Sequence, residues 1–229
     1  MERSLVFVSA AERCAYLPDR QAQMRYEMAP DLTAAEYMTR LNEGWRRFGA
    51  IMFRNDCPAC SMCRSLRVPV DTFRPSASQR RVWTNSVDDV EVTIDTPASS
   101  PEKLDLFRRF HHHGHQTKGW PADPGHDLRM FTRNPFPTEE WTYHVAGRLV
   151  AVGYVDVLPE ALSAIYFFHD PAEGRRSLGT FNVLKTIDVA RQRGLAHVYL
   201  GYWVDGCRSL QYKDRFTPNE KLNAAGEWG

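Results

Sequence analysis

The stretch from Glu139 to Val204 constrains the fold most. Trp141, Tyr143 and Val145 alternate along "EEWTYHVAGRLVAVGYVDVL", and Ala146-Gly147 offers a tight turn, so two antiparallel strands are predicted. "LSAIYFFHDP" predicts a third strand. "SLGTFNVLKTIDVARQRG" has helical spacing, with Leu178, Phe181, Val183, Leu184, Ile187 and Ala190 among its apolar positions and Gly194 after it. "HVYLGYWV" returns as a fourth strand. A meander, a helix and a returning strand predict an α+β layer architecture.

The N-terminal half is patterned differently. Asp31 to Gly49 predicts one amphipathic helix: Thr33 and Glu36 have capping-box spacing, Tyr37, Leu41, Trp45 and Phe48 share a face, and Gly49 can end it. The strands "AIMFR" and "SLRVPVDTF" flank a cysteine loop, and "RPSASQRR" reads as a polar, basic loop. "TPASSPEK" is the most linker-like stretch and leads into a helix, "PEKLDLFRRFHHHGH", with Pro101 in its first turn. The chain thus divides into a small cysteine-bearing domain over residues 1–85 and a second domain over 98–229.

With 229 residues, 43% of them hydrophobic, the chain can bury a proper core. No run of 18 apolar residues occurs, so no membrane-spanning helix is expected. The first residues lack the basic and long apolar regions of a secretory signal, which predicts a cytoplasmic protein. There, the five cysteines read as thiols or metal ligands before disulfides.

"CPACSMC" places Cys57, Cys60 and Cys63 two residues apart, three thiolates from one loop; a tetrahedral site needs a fourth, from Cys14 or Cys207. Zinc suits this spacing, and the run resembles an iron–sulfur pattern without its fourth Cys-Pro; ordinary buried core thiols are the plainer alternative. The thiols lie within a basic segment: from Arg40 to Arg81 there are nine arginines and three acids. Such a balance suits an anionic partner such as RNA, against the plainer reading of a solvated charged face.

His111, His112, His113 and His115 tempt a metal reading, but successive helical residues point apart and no carboxylate stands at ligand spacing. A polar helix end is the simpler account, with one of the histidines left to line a site. "GRRSLGTF" opens a helix, where backbone N–H groups cradle phosphates. Arg176-x-x-Gly179-x-Phe181 approaches the loop of GNAT acetyltransferases, but bulky Phe181 stands where a small residue admits coenzyme A, so no acyl-CoA is expected.

"CAYLPD", "GWRRFGAIMFR", "CPACSMCRSLRVPV", "FRPSASQRR", "LVAVGYVDVL", "SAIYFFHDP", "SLGTF", "YLGYWVDGC" and "LQYKDRFTPNE" resemble, in this order, the aminoacyl-tRNA–protein transferases, which include arginyltransferases and bacterial aspartate/glutamate leucyltransferases. The resemblance runs from about Cys14 to Glu220 and implies a GNAT-like second domain. It implies aminoacyl-tRNA as donor, leucine or arginine as the moved amino acid, and as acceptors proteins with N-terminal Asp or Glu, so tagged for degradation. Cys14, in a family motif, becomes the preferred fourth ligand. Where many bacterial members carry Arg-His, this chain has Gly114-His115, so that arginine's roles do not transfer.

The resemblance also assigns site candidates. Tyr166 and Tyr202, with Tyr212, would orient the ester or the terminal adenosine; Asp205 or His115 would accept a proton. Arg80 and Arg81, then Lys213 and Arg215, would bind the acceptor carboxylate, and Arg176 and Gly179 would form the phosphate loop. Plainer alternatives are tyrosines packed in the core and an Asp205 that only forms a turn. Two rival functions remain, an acetyl-CoA-dependent acyltransferase and a zinc-dependent RNA-binding module.

Overall fold

A computed structural model describes residues 5–28, 31–123, 125, 127–133 and 135–229. The N-terminal half contributes strands β1 (Leu5–Val8), β2 (Glu12–Arg13), β3 (Gln21–Ala22) and β4 (Met24–Met28). Helix α1 (Ala34–Asn42) follows, then β5 (Arg46–Phe48), β6 (Ile51–Asn55), β7 (Arg64–Pro69), α2 (Ala77–Thr84) and β8 (Glu91–Asp95). Next come α3 (Pro101–Lys118), α4 (Arg129–Thr132), β9 (Thr138–Val145), β10 (Arg148–Leu158) and β11 (Ala161–His169). The chain ends with α5 (Leu178–Gln192), β12 (His197–Trp203), α6 (Arg208–Gln211) and β13 (Glu220–Lys221).

Among the described residues, the larger sheet has seven strands in the order β13-β7-β12-β11-β10-β9-β8. Its ladders are antiparallel except β11 with β12, the pair joined through α5. The expected meander, helix and returning strand are all present. The cysteine-bearing half enters the same sheet through β7, which pairs with β12. A second sheet, β1-β4-β6-β5, carries the rest of that half.

Apolar side chains pack both faces. Phe181, Leu184 and Ile187 of α5 join Leu66, Val68 and Trp141 in one cluster. On the other face Leu106 and Phe107 of α3 meet Val152, Tyr154 and Phe168, while Tyr37 and Leu41 of α1 meet Leu158, Ala161 and Tyr199. β10 supplies residues to both sides, which explains its nearly unbroken apolar run.

Two sequence expectations need correction. The helix expected over 31–49 has its Thr33–Glu36 capping box but stops at Asn42, where Gly44 (φ 84°) turns the chain. Trp45 and Phe48 are therefore not helical; β5 and β6 form a hairpin around Gly49 instead. The loop expected at 74–81 is largely helix α2. Ser76 and Gln79 form a capping box there, a signal that was present in "SASQ".

Candidate active site

β11 and β12 pair only from Ala161↔His197 to Ser163↔Tyr199, and their outer ends lie without mutual ladder bonds. Two nearly buried cations occupy this divergence. Arg46 of β5 donates from Nη1 to Ser163 Oγ (3.1 Å) and from Nη2 to the Ala164 carbonyl (2.7 Å). Lys213 donates from Nζ to the Tyr202 carbonyl at 2.7 Å. Gly201 (φ 84°) lies beneath both: a Cβ there would stand 3.5 Å from Lys213 Nζ and 3.6 Å from Arg46 Nε. Burial first, and Arg46 second, pull the Lys213 amine down to about 7.

On the α3 face of the sheet, Tyr166 is bonded to His111 Nε2 at 2.7 Å. Their rings are parallel to within 4°, and Phe131 stacks on Tyr166 at 4.8 Å. Burial raises the Tyr166 hydroxyl above its ordinary range. Of the histidine run it is thus His111, not His115, that reaches a candidate tyrosine. His115 is exposed and donates from Nδ1 to the Trp120 carbonyl at 2.7 Å. Gly114 has a packing reason: an added Cβ would fall inside the Trp120 ring. Tyr202 is buried and donates to the Gly44 carbonyl (2.9 Å), with its hydroxyl raised by burial.

Cys14, Cys57, Cys60 and Cys63 line one cavity of about 510 Å³. Burial, then Cys14, Cys57, Cys60 and Cys207, push the Cys63 thiol up to about 12. Cys14 and Cys57 sulfurs each accept a backbone N–H at 3.4 Å, from Leu17 and Gln23. This donor set fits a soft metal or cluster, although among the described residues no three His, Cys, Asp or Glu side chains already form a ligand group.

Residues 12–81 match the family model for the N terminus of arginine-tRNA-protein transferase, and residues 102–223 match the model for its C terminus. The chain belongs to the arginine-tRNA-protein transferase family. It is a transferase. Aspartate/glutamate leucyltransferase of Helicobacter hepaticus is 33% identical over 96% of this chain and 92% of its own. The proteins so named from Halorhodospira halophila and Aeromonas salmonicida are each 36% identical, over 93% and 97% of this chain and 92% and 93% of theirs. The fold is GNAT-like. FemX superposes with a TM-score of 0.54 at 8% identity, covering 95% of this chain and 86% of that one. L-PGS from Bacillus licheniformis gives 0.50 at 12%, covering 74% and 50%. These two likenesses concern fold alone.

The other candidates in this transferase are dispersed. α2 packs with α5, so exposed Arg80 and Arg81 lie on the opposite face of the sheet from Tyr166; Arg80 donates to the Pro75 carbonyl at 2.6 Å. Arg215 is exposed, and its carbonyl accepts from Gln79 Nε2 at 2.9 Å. Tyr212 is exposed beside it. Asp205 is exposed and accepts from Gly206 N (3.0 Å) and Gln211 Nε2 (3.3 Å), the geometry of a turn.

Arg176 is engaged by Glu173 (2.7 Å) and Asp89, while Gly179 has open space beside it. Phe181 is 1% exposed and packs on Trp83 and Tyr143. Its ring therefore points inward. Sequence reading passed over Arg46 and the His111–Tyr166 pair. The motif "GWRRFG" holds Arg46, but only the strand divergence gives it a place.

Proposed function

We propose that this transferase moves an aminoacyl group from charged tRNA to the α-amine of proteins that begin with Asp or Glu. What carries this reading is near-full-length similarity to several proteins named aspartate/glutamate leucyltransferase. That similarity favours leucine over arginine as the moved amino acid.

The aminoacyl ester is already activated, so the protein's task is to position the amine and remove a proton. The Tyr166–His111 pair supplies a hydroxyl to orient the ester and an imidazole to accept the proton. Arg46 and Lys213, held at the diverging ends of β11 and β12 by the Ala164 and Tyr202 carbonyls, bring the N–H donors that stabilise the developing oxyanion. Cys14, Cys57, Cys60 and Cys63 would hold zinc or an iron–sulfur cluster, which supplies a cross-link between the N-terminal strands and the cysteine loop.

Radiolabelled leucine and arginine, total tRNA and peptides starting with Asp, Glu, oxidised Cys or Lys test the reading. Leucine should pass to the Asp and Glu peptides and not to the Lys peptide. Because Phe181 faces inward, acetyl-coenzyme A belongs in the same assay. Acetyl transfer without tRNA-dependent transfer would overturn the proposal.

A further inference from the structure

The cavity that holds the thiols contains a second set of side chains with a different character. Arg54, in β6, lies with Cζ 5.0 Å from the ring centroid of Trp45. Arg64, at the start of β7, lies 4.7 Å from Trp203, its partner across the β7–β12 ladder. Both tryptophans are themselves nearly buried, at 6% and 8% exposure, so each forms a fixed shelf under a guanidinium.

Among the described residues neither Arg54 nor Arg64 has an ion pair or a side-chain hydrogen bond. Their neighbours contrast with them: Arg25 is spent on Asp56, and Arg40 on Glu27 and Glu43. Two planar forks thus line one cavity. Stacking an arginine on an indole costs its N–H edges nothing, and a carboxylate can take two of them at once.

The opposing charges decide which anion suits the space. Arg13, Arg54 and Arg64 line the cavity together with Glu12, Glu43 and Asp56. Asp56 and Glu43 are tied to Arg25 and Arg40, which among the described residues leaves Glu12 as the carboxylate open to an ammonium. A chain terminus that starts with Asp or Glu carries an ammonium beside a carboxylate and so matches both signs. Tyr202, on the diverging end of β12, lines the same cavity, and its carbonyl accepts from Lys213 Nζ at 2.7 Å.

We propose that this cavity seats the acceptor's first residue, with Arg54 and Arg64 gripping its side-chain carboxylate. The inference rests on the acceptor class proposed above and names the residues that select it. It moves that role from Arg80 and Arg81 to the two arginines on tryptophan shelves.

The test combines binding with transfer. Fluorescently labelled peptides starting with Asp, Asn or acetyl-Asp are titrated onto the full chain by anisotropy, and the Asp and Asn peptides are then used as acceptors with aminoacyl-tRNA held saturating. The full chain should bind the Asp peptide more tightly than either control. Arg54→Gln and Arg64→Gln should each raise the KM for the Asp peptide roughly 10- to 100-fold, the span of one charge-assisted hydrogen bond, and shrink the Asp/Asn ratio. The KM for aminoacyl-tRNA should stay within about twofold.

Arg54→Lys and Arg64→Lys keep the charge and the stacked stem but lose the fork, and should fall between. They carry the test on the same criterion if the Gln variants melt early. An unchanged Asp/Asn ratio in folded variants would overturn the assignment. A rise confined to the KM for aminoacyl-tRNA would also overturn it and give the cavity to RNA. Arginine-dependent binding of the Asp peptide without any transfer would uphold the site while refuting the proposed function.

Discussion

Arg47 and Asp156 form an ion pair with both side chains fully buried, 109 residues apart in the chain. Tyr37 and Thr138 each add a 2.7 Å hydrogen bond to the same carboxylate. The network ties α1 and β5 to β9 and β10, so the cysteine-bearing half is anchored in the core of the transferase sheet. Removing one partner strands the other charge out of water. Asp156→Ala should therefore cost about 3–5 kcal/mol, read from urea denaturation. A loss below about 1 kcal/mol would show that Arg47 finds another partner or water.

The catalytic assignment separates two histidines four residues apart. His111→Ala or Tyr166→Phe should slow single-turnover transfer by roughly 10²-fold with little change in either KM. His115→Ala, which removes only a bond to the Trp120 carbonyl, should change the rate less than about threefold. The opposite ranking would restore His115 as the proton acceptor.

Lys213 makes a prediction about pH. Its folded value near 7 lies below the ordinary 10.5, so between these limits the unfolded chain binds the extra proton and the folded chain does not. The group's penalty is complete below about pH 7 and fades as pH rises toward 10.5. Lys213→Met should be more stable than the parent at pH 6.5, with the advantage shrinking by pH 9.5. The change should be a few kcal/mol at most, at ~1.4 kcal/mol per unit. A pH-independent difference in urea midpoints would mean that Lys213 stays charged when folded.

The thiols are tested by anaerobic purification, elemental analysis and visible absorbance. Cys14→Ser, Cys57→Ser, Cys60→Ser and Cys63→Ser should each lower metal or cluster content, and Cys207→Ser should leave it unchanged. Fully active parent protein without metal would refute the site.

Gly114→Ala should destabilise the chain by about 1–3 kcal/mol, because the added methyl lands in the Trp120 ring. Adding Trp120→Leu should recover part of that loss. A neutral Gly114→Ala would mean that Trp120 moves aside freely.

Local pattern made much of this fold legible. Strand alternation and helical spacing over 139–204, the Thr33–Glu36 cap and the C-x2-C-x2-C spacing are all set by residues a few positions apart. The order of the motifs revealed the family. The same local signals misjudged the end of α1, where Gly44 rather than Gly49 breaks the helix, and took the capped α2 for a loop.

Tertiary structure decided the rest. A run of histidines cannot tell which one meets Tyr166, since the rotation of α3 on the sheet selects His111, 55 positions away. Nothing near Arg46 announces that β11 and β12 diverge over it, and nothing near Arg54 or Arg64 announces a tryptophan beneath each guanidinium. Phe181 looked like a plug in a phosphate loop until the turn of α5 aimed it into the core. Secondary structure follows from spacings within one element. A site depends on register and packing between elements, and those are set by contacts that no local pattern contains.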